Sequence, residues 1–420
     1  MSTVRSLVDK LSQFGDWTGE KAGSLIGYIR EKTGNGIADQ VNAELDKLLD
    51  LPPIKISLLA PMGAGKTSLI TTVRAYLRHE LNKPNGFSIV FAPSDASVLD
   101  AYYNELNNRV KAGQPKFDTG AILPGAVPRN FSFEIRFDYG DGHVLAQPFI
   151  IKDIPGGWLD DTAAVKYEDW KAFEDHLYDS RILWIPVDAP KIMEIKDDDN
   201  VDKRKFAIAL LRLGPIEELC NDWAKARLNK KVDEQWAVQF IPMKCETYTA
   251  QSSSQSSSDI KSEELFGKVR DRYVTCIKNI RTLCPSSTQI YMEYVPVESI
   301  GVIRLIDAEW TESGLDTEYA LNGNSLEIHG AEALVRIMLE YASGQIRAMY
   351  KKDYDMYYKL LHEKNLFKKI KNTVTGKTAT WKEIMEQYLK PIEKMVMPLS
   401  EEMSRIASLA NSYKYKKVLN

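Results

Sequence analysis

Apolar and polar positions along this chain fall into segments of two periods. Val4, Leu7, Val8, Leu11 and Phe14 recur at helical spacing, so the chain opens as an amphipathic helix. Two more helical stretches follow, one around Leu25, Ile26 and Ile29, the other from about Ile37 to Leu49, before Pro52 and Pro53. Ile54 to Ala60 is almost continuously apolar, as a parallel strand covered on both faces should be. A helix is expected from Lys66 to about Leu81, a short strand over Phe87–Phe91, and a helix over Asp95–Lys111. Gly113 to Pro128 is irregular. Phe131 to Phe137 alternates with period two, Tyr139 to Gly142 reads as a hairpin turn, and Val144 to Lys152 returns as the partner strand. Further strands are expected over Ile182–Val187, Trp236–Pro242 and Gln289–Val297, with helices over Phe206–Lys225 and Lys261–Leu283. From about Gly330 onward the pattern is helical.

Strands alternating with helices predict an α/β fold: a sheet covered by helices, with helical segments on either side. The expected divisions are a helical segment 1–50, a nucleotide-binding domain 51–328 and a helical region 329–420. The run Gln251 to Ser258, Q-S-S-S-Q-S-S-S, reads as a loop tip, since the sheet resumes after it.

Two strand ends carry candidate chemistry. After Ala60 comes P-M-G-A-G-K-T-S, so the spacing is A-x-x-x-x-G-K-T, a phosphate-binding loop with Ala at its first position. Gly63 and Gly65 let the backbone curl so that successive N–H groups face phosphate oxygens, with Ala64 between them. Lys66 is placed to reach the β- and γ-phosphates. The Thr67 hydroxyl is a Mg²⁺ ligand candidate, and Ser68 closes the nucleotide-binding set. The second strand end is F-I-I-K-D-I-P-G-G-W. There Asp153 can hold the Mg²⁺ hydration shell opposite Thr67, and Gly156 can offer its backbone N–H to the γ-phosphate. Thr119 is the one Thr in the irregular segment between the two motifs. It is the candidate for a mobile loop that closes over the metal and the γ-phosphate.

Phosphate loop, mobile loop, β-hairpin and D-x-P-G, in that order, resemble the GTPase domains of the translation-factor and dynamin-related class. The Pro of D-I-P-G is similar to the dynamin-like D-L-P-G, and bacterial conflict-system GTPases with variant fourth motifs look at least as close. The resemblance covers roughly two thirds of the chain and implies a P-loop GTPase using Mg²⁺ and GTP or GDP. It also implies roles further along. Met243-Lys-Cys-Glu246 stands where the family has Asn/Thr-Lys-x-Asp, so Lys244 would lie over the purine and Glu246 would accept from guanine N1–H and the 2-amino group. Ser299 stands at the family's short loop whose backbone contacts the guanine oxygen. Gly157 occupies the place of the water-positioning Gln of Ras-like members, so another group must position the attacking water.

Composition narrows the remaining choices. A hydrophobic share of 44% with 27% charged residues is that of a soluble globular protein, with no apolar run long enough to span a bilayer. Cys220, Cys245, Cys276 and Cys284 show no metal spacing and suit a reducing, cytoplasmic setting. The net charge of −3 hides a basic end, with Lys368, Lys369, Lys371, Lys414, Lys416 and Lys417 among its lysines. A protein partner or homodimer is expected to meet the helical extensions, and a membrane surface could meet the basic end. No interleaving of aromatics with Arg calls for nucleic acid. The function expected is a Mg²⁺-dependent GTP-binding and GTP-hydrolysing switch. The alternatives are an ATP-binding P-loop NTPase or a nucleotide-regulated, membrane-associated scaffold.

Overall fold

The computed structural model describes residues 51–81, 87–113, 128–138, 144–161, 164–196, 199–228, 235–249, 255–284, 290–362, 404–405, 407–411 and 415–419. The expected N-terminal helices and Thr119 lie outside the described residues, as does most of the basic end.

An eight-stranded sheet organises the fold. Its strands are β1 (Ile54–Leu58), β2 (Phe87–Phe91), β3 (Arg129–Asp138), β4 (Val144–Asp153), β5 (Ile182–Asp188), β6 (Trp236–Met243), β7 (Ile290–Tyr294) and, from a distant part of the chain, β10 (Lys417–Val418). They lie in the order β10-β7-β6-β5-β1-β4-β3-β2. The five strands from β4 to β7 run parallel, β3 and β2 form an antiparallel flank, and β10 pairs antiparallel with β7. This is an α/β sheet, parallel through its middle and covered by helices on both faces. Its strand β1 has β4 on one side and β5 on the other.

The period-two geometry of the strands sorts their side chains into two cores. Ile56, Phe149, Ile151, Trp184 and Ile241 face one way. They pack with Leu69, Ile70 and Val73 of the helix Lys66–Tyr76 and with the helix that begins at Ala331. Leu183, Ile185, Val238 and Phe240 face the other way. They meet Phe173, Trp223, Leu265 and Ile277 from the helices Tyr167–Asp179, Leu213–Lys225, Gln255–Arg272 and Val274–Leu283. Burial on both faces is why the parallel strands read as unbroken apolar runs.

Several boundaries differ from the sequence reading. Residues of the stretch Ala331 to Ile346 pack into the same layer as the helix after the phosphate loop. A single helix spans Ala331–His362. The stretch read as a single helix from Phe206 to Lys225 breaks at Arg212, which takes a left-handed conformation (φ 51°), and an earlier helix spans Val201–Ala209. The Gln/Ser run contributes the start of the helix Gln255–Arg272 instead of remaining a loop tip throughout. An unanticipated hairpin, β8 (Ile303–Thr311) with β9 (Gly314–Leu321), forms a separate two-stranded sheet. The chain's end is not wholly helical either. Tyr415 and Leu419 are buried beside β7, and Arg281 donates to the Leu419 carbonyl at 2.7 Å.

Candidate phosphate and metal site

Strand β1 lies between two parallel neighbours, and the chain leaves the sheet at its C-terminal end. Gly63 (φ 79°) and Gly65 (φ 92°) are both left-handed, the conformation that turns the loop back and starts the helix at Lys66. Gly65 is the helix's N-cap, so no side chain caps the first turn, and no acidic residue lies in that turn. The first-turn N–H groups have no acceptor within the helix, which makes this end an anion cradle. Lys66 Nζ donates to the carbonyls of Ala60 (3.0 Å) and Pro61 (3.2 Å), across the loop it follows. Ala64 is buried under the loop, and Thr67 is half-buried. Ser68 is differently engaged: its hydroxyl is 2.9 Å from that of Tyr102, on the neighbouring helix Pro93–Lys111.

The register of β4 on β1 pairs Ser57 with Lys152, so Asp153 emerges beside Leu58, immediately before the phosphate loop. One oxygen of its carboxylate, Oδ1, is buried and meets no hydrogen-bond donor among the described residues. Burial pushes this acid up from 3.8 to about 6, against the opposing charges of Lys66 and Arg129. Burial in turn lowers the Lys66 ammonium below its ordinary value, while Asp153 and Asp160 raise it. Each charge is therefore left short of solvent and only partly compensated. A cation near Asp153 or an anion near Lys66 would favour the charged form of each group.

Gly156 fixes the second motif against the first. A Cβ at this position would lie 2.2 Å from the Met62 nitrogen and 2.7 Å from the Pro61 carbonyl carbon. Only glycine lets the turn after β4 touch the phosphate-loop backbone. The buried Asp153 Oδ1, with no donor among the described residues, is chemically suited to accept a cation such as Mg²⁺. Among the described residues no group of three metal-ligating side chains occurs. A magnesium bound at this point would draw most of its oxygens from phosphate and water, as is usual for that ion.

The base-side candidates sit at the ends of β6 and β7. Lys244 is left-handed (φ 56°), and its Nζ donates to Asp188 Oδ2 at 3.2 Å. Asp188 and Met243 are register partners on β5 and β6, which explains the proximity. Glu246 is only 1% exposed. Its Oε1 accepts from the Ile300 N–H at 3.3 Å, while Oε2 is buried with no donor among the described residues. Burial and then the charge of Glu298 push this carboxyl up to about 7, and burial pushes Glu298 up as well. Ser299 follows Glu298 in the loop after β7 and is buried. Glu246 thus points under the loop carrying Ser299, and Lys244 is tied to the neighbouring strand.

Sequence reasoning missed Tyr102 against Ser68, Asp188 against Lys244, and Arg129 beside Asp153. Only the last had a signal. A hairpin that pairs Asp138 with Val144 must also pair Arg129 with Asp153.

No family model and no curated protein matches the chain. Among solved structures, it is similar to a chain of the signal recognition particle receptor SRb-GTP/SRX complex from Chaetomium thermophilum, with 18% identity and a TM-score of 0.28. The match covers 60% of this chain and 92% of that one, and a likeness so slight bears on no functional question. No helix among the described residues is long and apolar enough to cross a membrane.

Proposed function

We propose that this protein is a Mg²⁺-dependent GTP-binding and GTP-hydrolysing switch. The observation that carries the reading is the meeting of the two motifs. The uncapped, glycine-turned loop before Lys66 is in backbone contact with the Asp153–Gly156 turn, and Asp153 there keeps a buried oxygen without a donor. Loop amides and Lys66 hold the phosphates, trading the Ala60 and Pro61 carbonyls for phosphate oxygens. Thr67 and Asp153 would hold a Mg²⁺ ion, which would supply positive charge to the phosphate oxygens. Gly156 is placed to sense the γ-phosphate through its N–H. Water attacks the γ-phosphorus, the bond to the β–γ bridging oxygen breaks, and GDP and phosphate leave. Thr119 is the proposed residue of the mobile loop over this centre. A protein partner or a second copy is the proposed reader of the switch.

Guanine recognition by Lys244, Glu246 and the Ser299 loop is the finer part of the proposal. It requires the Glu246 carboxylate to reach the base from beneath the loop. The burial of Glu246 favours a second reading, in which base selection is lax and ATP is also accepted. Phosphate release from GTP and from ATP, each with Mg²⁺ and with excess EDTA, separates the two. Release from GTP alone, abolished by EDTA, supports the first reading. Equal release supports the second, and no release from either removes the hydrolytic claim.

A further inference from the structure

Beside Asp153 lies one cation that neither motif contains. Arg129 opens β3 and is the direct cross-strand partner of Asp153 in the antiparallel ladder. Side chains opposite each other in such a ladder share a face and lie about 5 Å apart at Cβ. The face is known from the alternation. Phe131, Phe133 and Ile135 follow Arg129 at two-residue intervals and are buried with Leu69, Ile70 and Val73 of the helix that starts at Lys66. Arg129 belongs to the same series, and its guanidinium carbon lies 5.8 Å from the centre of the Phe131 ring. Unlike those neighbours, Arg129 is exposed. It therefore stands exposed at the start of β3, one strand out from Asp153 and on the face of the sheet covered by the helix that starts at Lys66.

We propose that Arg129 supplies, within the same chain, the cation that stabilises the charge developing on the γ-phosphate. This rests on the nucleotide-hydrolysing reading above and adds to it the residue that its two motifs leave out. Two observations support the assignment. The register fixes Arg129 beside the Asp153 carboxylate. The alternation sets it on the face covered by the helix that starts at Lys66 rather than on the opposite core. A guanidinium suits the task because it stays charged and presents several N–H donors to phosphate oxygens. Cations in this role are worth about 10³–10⁵ in the rate of hydrolysis.

The test compares wild type, Arg129→Ala and Arg129→Lys in the full chain with Mg²⁺. It uses two readouts: single-turnover hydrolysis at saturating enzyme, and the affinity ratio of a non-hydrolysable GTP analogue over GDP. Arg129→Ala is expected to slow hydrolysis at least 100-fold and to lower the affinity ratio, with GDP affinity within about threefold of wild type. Arg129→Lys should recover part of the rate. Hydrolysis by Arg129→Ala within threefold of wild type overturns the proposal while leaving the GTPase reading intact. If Arg129→Ala loses GDP and the analogue equally, Arg129 merely shores up the site and the proposal also falls. A wild-type protein that binds the analogue no better than GDP and does not hydrolyse GTP removes the parent reading as well.

Discussion

Replacing Asp153 by Asn should stabilise the ligand-free protein and weaken the liganded one. The carboxyl is raised from 3.8 to about 6, mainly by burial and in spite of Lys66 and Arg129. At 1.36 kcal/mol per pH unit, ionised Asp153 costs the folded state up to about 3 kcal/mol relative to its protonated form. Asp153 is half-buried, so solvent screening brings the expected figure to about 1–3 kcal/mol. A group whose folded value lies above its unfolded value contributes most stability below the unfolded value. That contribution is lost as pH rises through the folded value. The wild type should therefore lose stability between about pH 4 and 6 through this residue, and Asp153→Asn should not. Glu246 and Glu298 act with the same sign but are common to both proteins, so they drop out of the difference. Urea unfolding in EDTA at pH 8 should find Asp153→Asn more stable by about 1–3 kcal/mol, with the gap closing near pH 4. Saturating Mg²⁺ and GTP should reverse the order, because only the wild type can hold the metal. An Asp153→Asn protein no more stable than wild type at pH 8 without ligand would refute the reasoning, since burial would then not be straining the carboxylate.

Gly156→Ala places a methyl 2.2 Å from the Met62 nitrogen, a backbone atom that cannot swing aside. It should cost about 1–3 kcal/mol in urea unfolding and weaken triphosphate binding at least tenfold. Glu246→Gln removes an acid raised to about 7, so the variant should be more stable than wild type at pH 8 and lose that advantage below pH 4.5. If Glu246 reads guanine, the same variant should lose the preference for GTP over ATP in competition binding. Truncation before Tyr415 strips β10 from β7 and removes two buried side chains, Tyr415 and Leu419. It should lower stability by about 2–4 kcal/mol and release the β7 edge amides to hydrogen exchange.

What could be read from the sequence was whatever depends on local spacing. The strand before the phosphate loop, the glycine turn and the hairpin leading to Asp153 each carry their signal within a few residues, and all are present. What could not be read depends on neighbours distant in the chain. The burial of Glu246 follows from a loop more than fifty residues later folding over it, with the Ile300 N–H taking one oxygen. The docking of the chain's end on β7 depends on an open sheet edge that no local pattern announces. The unity of the helix from Ala331 with the sheet core was hidden by its composition, since a helix covering a sheet and one in a separate bundle carry similar apolar stripes. Tyr102 on Ser68 is likewise a packing fact between two helices, set by how they cross rather than by either sequence.

The central claim is that the loop before Lys66 and the Asp153–Gly156 turn form one nucleotide–metal site. Calorimetric titration of GTP, GDP and ATP with Mg²⁺ into the wild type and Lys66→Ala tests it most directly. The account predicts binding of GTP and GDP by the wild type, weaker or no binding of ATP, and loss of nucleotide binding in Lys66→Ala. Failure of the wild type to bind any of the three nucleotides, or binding unchanged in Lys66→Ala, would contradict it.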